Sequence, residues 1–312
     1  MKGSKYGKKG QMEPMQFTGY NFDHDAHDFA SGALKRYLVE KADNKRMPLS
    51  FGPSPGPRQD LEGQKRIMNA GARYRTAYMT FKTKKSYLQT LMPTKEFNIK
   101  SQGGWATATF SITGLENLQW LGGRGYSHFG LYIDNVAYNG ELDPRSTALE
   151  AKDKLGSLLP VLFENMADPI ITGREELGFS KVFATLQETQ TESSYTLNAG
   201  WEGTNFCQMK LTDLVSEEDM DRIDEAPIYH YMVIPSSRKE GELDTEYTTV
   251  SQLKLGENVK EKIWKAGKAE ILFCGLKNEE LERAFPTLAN IIAGLREIEV
   301  CEVIASGIRA SQ

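Results

Sequence analysis

Long apolar runs are missing from this chain of 312 residues. No stretch approaches the roughly 20 apolar residues that a membrane-spanning helix needs. The opening "MKGSKYGKKGQMEPMQ" is basic and polar, and no apolar stretch follows it as in a secretory signal. Cysteine is scarce: Cys207, Cys274 and Cys301 are odd in number, widely spaced and never paired as CxxC. That excludes a zinc knuckle or a disulfide framework, and free buried thiols in a reducing cytoplasm are the expectation. Charge of one sign is also lacking. A formal net charge of -4 gives no electrostatic reason to expect nucleic acid or an anionic membrane as partner.

Familiar site motifs are absent as well. "LGGRGYSHFG" (Leu121–Gly130) is glycine-rich but has neither GxxxxGK[ST] nor GxGxxG spacing, so it is not a nucleotide loop, and the chain has no GxSxG elbow. His24 and His27 lie among Asp23, Asp25 and Asp28 without the i, i+4 spacing of a helical metal motif, and a solvated acidic turn is expected there. His230, in "YHYMV", reads as a packed strand residue. Neither a metal nor a cofactor is called for.

What is present is a core-forming composition, 39% hydrophobic and 26% charged. Residues 1–16 read as a tail and 17–68 as an extension, with a helix over Asp28–Ala42 and the Pro/Gly-rich loop "MPLSFGPSPGPR". Residues 69–312 form the main domain. Within it "ARYRTAYMTFKT", "GWATATFSI", "FGLYIDNVAY", "SKVFATLQ", "SSYTLNAGW", "TNFCQMKL" and "IYHYMVIP" favour strands. Helices are expected in "KKSYLQTLMP", in "STALEAKDKLGSLLP" up to Pro160, and in "NEELERAFPTLANIIAGL". Strands joined by short turns predict a β-rich α+β domain with a curved or closed, mostly antiparallel sheet and a few peripheral helices.

One lysine stands out. If "GFSKVFATL" is a strand, Phe179, Lys181 and Phe183 share a face. On an inward face the ammonium would lose hydration, its pKa would fall, and the neutral amine would be able to attack a ketone. An outward lysine whose stem covers the two rings fits the local pattern too. Arg124, Tyr126 and His128 likewise alternate along one face of an extended segment, unless the segment is a solvated hairpin turn.

"ADPIITGREELGFSKVFA" resembles the signature of the acetoacetate decarboxylase family: an acidic-proline segment, GRE, an aromatic residue, then the Schiff-base lysine. The likeness extends to "FKTKKSYLQTLMPT", "YHYMVIPSSR", "IWKAGKAEILF" and "REIEVCEVIASGI", so that it covers roughly Arg73 to the end. The resemblance implies that Lys181 condenses with the ketone of a β-keto acid and acts as an electron sink while carbon dioxide leaves. It also implies a small-molecule carbonyl substrate and a homo-oligomeric assembly.

Departures from the family pattern qualify this. Val182 stands where relatives commonly carry a second lysine. The family's active-site glutamate aligns on or near His128, which would relay protons with Tyr126 as a polar neighbour. The family's carboxylate-binding arginine aligns on Tyr74, so Arg73 or Arg75 would serve only after a one-residue slip or bulge; both also read as surface charges. Glu175 of the GRE turn is a further acid–base candidate, while Arg174 and Glu175 together more simply brace the loop. Two other outcomes fit the same residues: aldol addition, dehydration or cyclisation of a larger carbonyl compound, or non-catalytic binding of an apolar ligand.

Overall fold

The computed structural model describes residues 72–217, 220–221, 226–252 and 260–311. The expected tail, the extension with its helix, and the His24/His27 cluster lie outside the described residues. Alternation in "RYRTAYMTFKTK" makes β1 (Arg73–Lys84), followed by helix α1 (Lys85–Thr90), β2 (Phe97–Ile99), β3 (Trp105–Leu118), β4 (Arg124–Tyr138) and β5 (Gly156–Glu164). Helix α2 (Ala167–Leu177) leads into β6 (Lys181–Phe183), β7 (Thr185–Gln190), β8 (Ser194–Trp201) and β9 (Thr204–Ser216). Then come β10 (Met220–Asp221), β11 (Ile228–Pro235), β12 (Leu243–Ser251), β13 (Lys260–Phe273), helices α3 (Asn278–Ala284) and α4 (Ala289–Arg296), and β14 (Glu302–Ser311).

All the strands among the described residues belong to one 14-stranded sheet; eleven run in the order β12-β11-β5-β4-β3-β1-β14-β13-β9-β8-β7, while β10 pairs with β13, β2 with β4 and β6 with β5 off that path. Its ladders are antiparallel except for β5 with β11 and β5 with β6. The sheet is therefore mixed and curled, which meets the expectation of a curved, β-rich domain. The curl brings β6 beside β5, while its continuation β7 borders β8 at the other end of the strand order.

The concave interior is filled by rings. Phe81, Phe110, Phe129, Phe163 and Phe206 run in a line with successive centroid separations of 5.4, 5.9, 6.0 and 5.1 Å. Each ring comes from the apolar phase of its strand, and Leu281, Phe285, Leu288 and Ile292 of the helical segment enter the same core. The opposite phase is polar. Thr109 and Ser157 donate to Asp134 at 3.2 and 2.9 Å, and Thr80 meets Thr109 at 2.9 Å.

Burial pushes the Asp134 carboxyl up to about 6, the two hydroxyl donors only partly offsetting it. A folded-state pKa above the unfolded value means that the native state holds the proton longer, so stability falls as pH rises from about 4 to about 6. Asp134→Asn is therefore expected to stabilise the protein by about 1–2 kcal/mol at pH 7 and by nothing at pH 4. Urea unfolding at the two pH values measures this, and an equal change at both would contradict it.

Two sequence expectations are corrected. "STALEAKDKLGSLLP" is not a helix; apart from a single turn of 3-10 helix at Leu149–Ala151 it leads into strand β5, with Pro160 inside that strand. Leu131 pairs with Val161 but Ile133 with Leu158, so Pro160 sits where the ladder slips and no hydrogen bond needs its missing N–H. Conversely, "ADPIITGREEL", read as leading into a charged turn, is helix α2.

Candidate active site

Strand alternation turns Tyr126 and His128 of β4, Glu164 of β5 and Lys181 of β6 away from the phenylalanine core. Helix α2 and strands β11 and β12 cover them on that side. The helix ends at Gly178, whose φ of +73° is the left-handed conformation that glycine adopts without strain. The chain then turns so that the Phe179 amide donates to the Gly173 carbonyl at 3.0 Å, and Lys181 is delivered beneath the helix. Thr249 of β12 ties the helix end down by donating to the Leu177 carbonyl at 2.7 Å. A Cβ at Gly173 would lie 2.6 Å from Lys181 Cδ and 2.7 Å from Nζ, so only glycine lets the lysine pass.

Lys181 is 3% exposed and Glu164 0%. Nζ stands 2.8 Å from Glu164 Oε1 and donates to the Pro169 carbonyl at 3.1 Å. The carboxylate is thus ion-paired, but neither of its oxygens accepts a well-directed hydrogen bond. Burial raises the Glu164 carboxyl above its ordinary range, and the Lys181 charge pulls it only partly back. Burial of both partners disfavours both charges, and their mutual attraction offsets part of that cost.

Aromatic and imidazole rings complete the enclosure. The Tyr126 and Phe179 centroids lie 5.9 and 5.3 Å from Nζ. His230 stacks on Phe179 at 3.6 Å and meets the Ser251 hydroxyl through Nε2 at 2.8 Å. His128 pairs across the ladder with Glu164 and lies 6.1 Å from the Tyr126 ring. An edge of the His128 residue is partly exposed, but its Nδ1 is enclosed and lacks a partner. Burial, with the Lys181 charge second, lowers the His128 pKa to about 3 and takes His230 well below its usual value. Both imidazoles are therefore neutral near pH 7.

Four of the expected residues, Lys181, His128, Tyr126 and Phe179, are brought together, and four are not. Phe183 is 40% exposed and packs edge-on against Trp201, so the lysine is desolvated by helix α2 rather than by two flanking phenylalanines. Glu175 is exposed, whereas the Gly173 side of the helix lies against Lys181. Strand β1 pairs with β3 without any slip from Arg73 to Lys84. With no bulge, Arg73 and Arg75 stay in the phase of Ala77 and Met79, opposite Lys181. Arg73 is bound to Glu116 at 3.0 Å and Arg75 to Glu188 at 3.3 Å.

A carboxylate does stand beside Lys181, but it is Glu164 of the neighbouring strand and not a residue at the position of His128. Sequence reasoning overlooked it, as it did the place of His230 against Phe179 and Ser251. The available signal was an acid closing the apolar run "SLLPVLFE", where a solvated glutamate would be unusual. Among the described residues no group of three or more His, Cys, Asp or Glu is placed to hold a metal, and no helix is long and apolar enough to cross a membrane.

No curated protein sequence matches this chain. Among solved structures, one from a structural study of acetoacetate decarboxylase superposes with a TM-score of 0.52 at 14% identity, covering 78% of this chain and 86% of the other. Acetoacetate decarboxylase from Legionella pneumophila gives 0.49 at 13% identity, over 80% and 88% of the two chains. The enduracididine biosynthesis enzyme MppR, complexed with the condensation product of pyruvate and imidazole 4-carboxaldehyde, gives 0.49 at 11%, over 77% and 85%. At such identity the first of these likenesses speaks to the fold alone. The family model described as acetoacetate decarboxylase matches residues 46–293, most of the sequence, and the chain therefore belongs to the acetoacetate decarboxylase family.

Proposed function

We propose that this protein is an imine-forming enzyme for small carbonyl compounds, with Lys181 as nucleophile, and that its reaction is decarboxylation of a β-keto acid. The observation that carries the reading is the buried Lys181–Glu164 contact at 2.8 Å, which lets the amine give up its proton inside the site.

Neutral Nζ adds to the ketone carbon, and loss of water leaves a protonated imine. The bond to the carboxylate carbon breaks, carbon dioxide departs, and the electron pair moves into the iminium to give an enamine. Protonation at carbon and hydrolysis release the ketone and restore the amine. Glu164 holds and returns the proton exchanged with Nζ. His128, neutral and with one edge exposed beside it, would pass a proton from water to carbon through its two ring nitrogens.

A second reading keeps the imine but directs the enamine to aldol addition, dehydration or cyclisation. It is favoured by Arg73 and Arg75 standing away from Lys181, which leaves the adjacent carboxylate of a β-keto acid without the cation expected for it.

Incubation with a β-keto acid and borohydride is expected to reduce the imine to a stable secondary amine on the Lys181 peptide, seen by mass spectrometry, with carbon dioxide released in its absence. An adduct without carbon dioxide supports the second reading. Failure of several ketones to label Lys181 would overturn imine chemistry and leave ligand binding as the role.

A further inference from the structure

We infer that His230 is a positioning residue: stacked on Phe179, it holds that ring over Lys181 and so keeps water from one side of the amine. The inference rests on the imine reading above and names the part of the fold that sets the ring.

Three contacts in series connect β12 to the lysine. Ser251 Oγ meets His230 Nε2 at 2.8 Å. The imidazole lies on the Phe179 ring, with centroids 3.6 Å apart and planes 14° from parallel. The Phe179 centroid stands 5.3 Å from Lys181 Nζ. All four residues are buried.

Phe179 needs such a hold. It follows Gly178, where helix α2 ends, and its amide is fixed on the Gly173 carbonyl. That bond settles the backbone but leaves the two side-chain torsions open. The stack settles them. His230 is settled in turn from the neighbouring strand: it pairs with Thr249 across the β11–β12 ladder, and its ring reaches diagonally to Ser251.

Packing alone would not select histidine here. Its Nδ1 is buried without a partner, and an orphaned polar atom costs stability that a phenyl ring would not. What imidazole adds is Nε2, whose bond to Ser251 fixes the plane of the ring. Burial, with the Lys181 charge second, keeps the imidazole neutral near pH 7, so no like charge is placed near the ammonium.

A Phe179 ring released from this stack would swing away and let water solvate the ammonium, which would then keep its proton to higher pH. The other titratable groups around Nζ are Glu164 of β5 and Tyr126 and His128 of β4. Helix α2 presents the Pro169 carbonyl, and β12 contributes the Ser251 and Thr249 hydroxyls.

Borohydride labelling of Lys181 by acetone, followed against pH on the full chain, tests this. Variants are compared with the wild type at each pH, so that the pH dependence of the reagents cancels. His230→Leu is apolar and cannot stack; it is expected to move the rising limb of the profile up by about one pH unit, slowing labelling about tenfold on that limb. His230→Phe keeps a flat ring on Phe179 and should bring most of the shift back. Ser251→Ala, which frees the plane of the imidazole, should move the limb the same way by a smaller step. Urea unfolding reads the stability of each variant, which a role in packing alone would lower with the limb left in place. An unmoved limb in His230→Leu, or equal shifts in His230→Leu and His230→Phe, overturns the assignment while leaving the imine intact. Should the leucine variant not fold, Ser251→Ala carries the test, and an unmoved limb there overturns it. Absence of labelling in the wild type removes the imine reading and this inference with it.

Discussion

Lys181→Ala is expected to reduce turnover and borohydride labelling by at least about a thousandfold, and to lower stability by about 3–5 kcal/mol at pH 7. The first loss is that of the nucleophile. The second follows because Glu164 is fully buried, and without the lysine its charge has no partner. The variant would raise the Glu164 pKa further above its unfolded value. Its deficit is therefore present above the unfolded carboxyl pKa and shrinks as pH falls through about 4. Urea unfolding at pH 7 and pH 4 separates this from a simple cavity, which would cost the same at both. The pair Lys181→Met with Glu164→Gln removes both charges and should come back to within about 1–2 kcal/mol of the wild type while staying inert. Full stability of the single alanine variant at pH 7 would show that the ion pair is not sequestered from water.

Gly173→Ala should produce the opposite combination. Alanine is about 1 kcal/mol better than glycine inside a helix, so helix α2 gains locally. The new methyl, however, falls on Lys181 Cδ, Cε and Nζ, and the helix cannot back away because Phe179 and Thr249 hold its end. The flexible end of the lysine gives way instead, moving off the Pro169 carbonyl while its charge stays close to Glu164. Labelling of Lys181 should drop about a hundredfold, as misplacement of a reacting group by an ångström does, with unfolding free energy within about 1 kcal/mol of the wild type. Undiminished labelling would mean that the lysine works from some other position. Together the two variants distinguish a lysine that holds the protein together from a lysine that must be held in place.

Strand phase was the most readable part of the sequence. Alternation in "RYRTAYMTFKTK" and "WATATFSI" gave the core rows of β1 and β3, and the row Arg124, Tyr126, His128 was visible in the same way. Where a local rule met a tertiary one, the reading failed. Helix α2 contains Pro169, a β-branched run at Ile170–Thr172 and Gly173, a poor composition for a helix. Pro169 is tolerated in the first turn, and the rest is held by packing over Lys181 rather than by propensity. Pro160 misled in the other direction, because the ladder slip that accommodates it depends on the partner strand. Glu164 was hidden for a similar reason: nothing near it in sequence shows that the lysine 17 positions later returns on a parallel strand beside it. Pairing across the sheet assembles this site, and local spacing does not record such pairing.

The reactive segment also closes the fold. Between Phe183, paired to β5, and Thr185, paired to β8, stands Ala184 alone, whose amide donates to the Glu164 carbonyl at 2.9 Å. One short stretch of chain is thus both the seam of the curled sheet and the support of the amine. If the molecule begins to come undone along that seam, the lysine is withdrawn from its acidic neighbour and regains water and its proton. A loosened copy would then carry no stray nucleophile able to modify carbonyl metabolites indiscriminately.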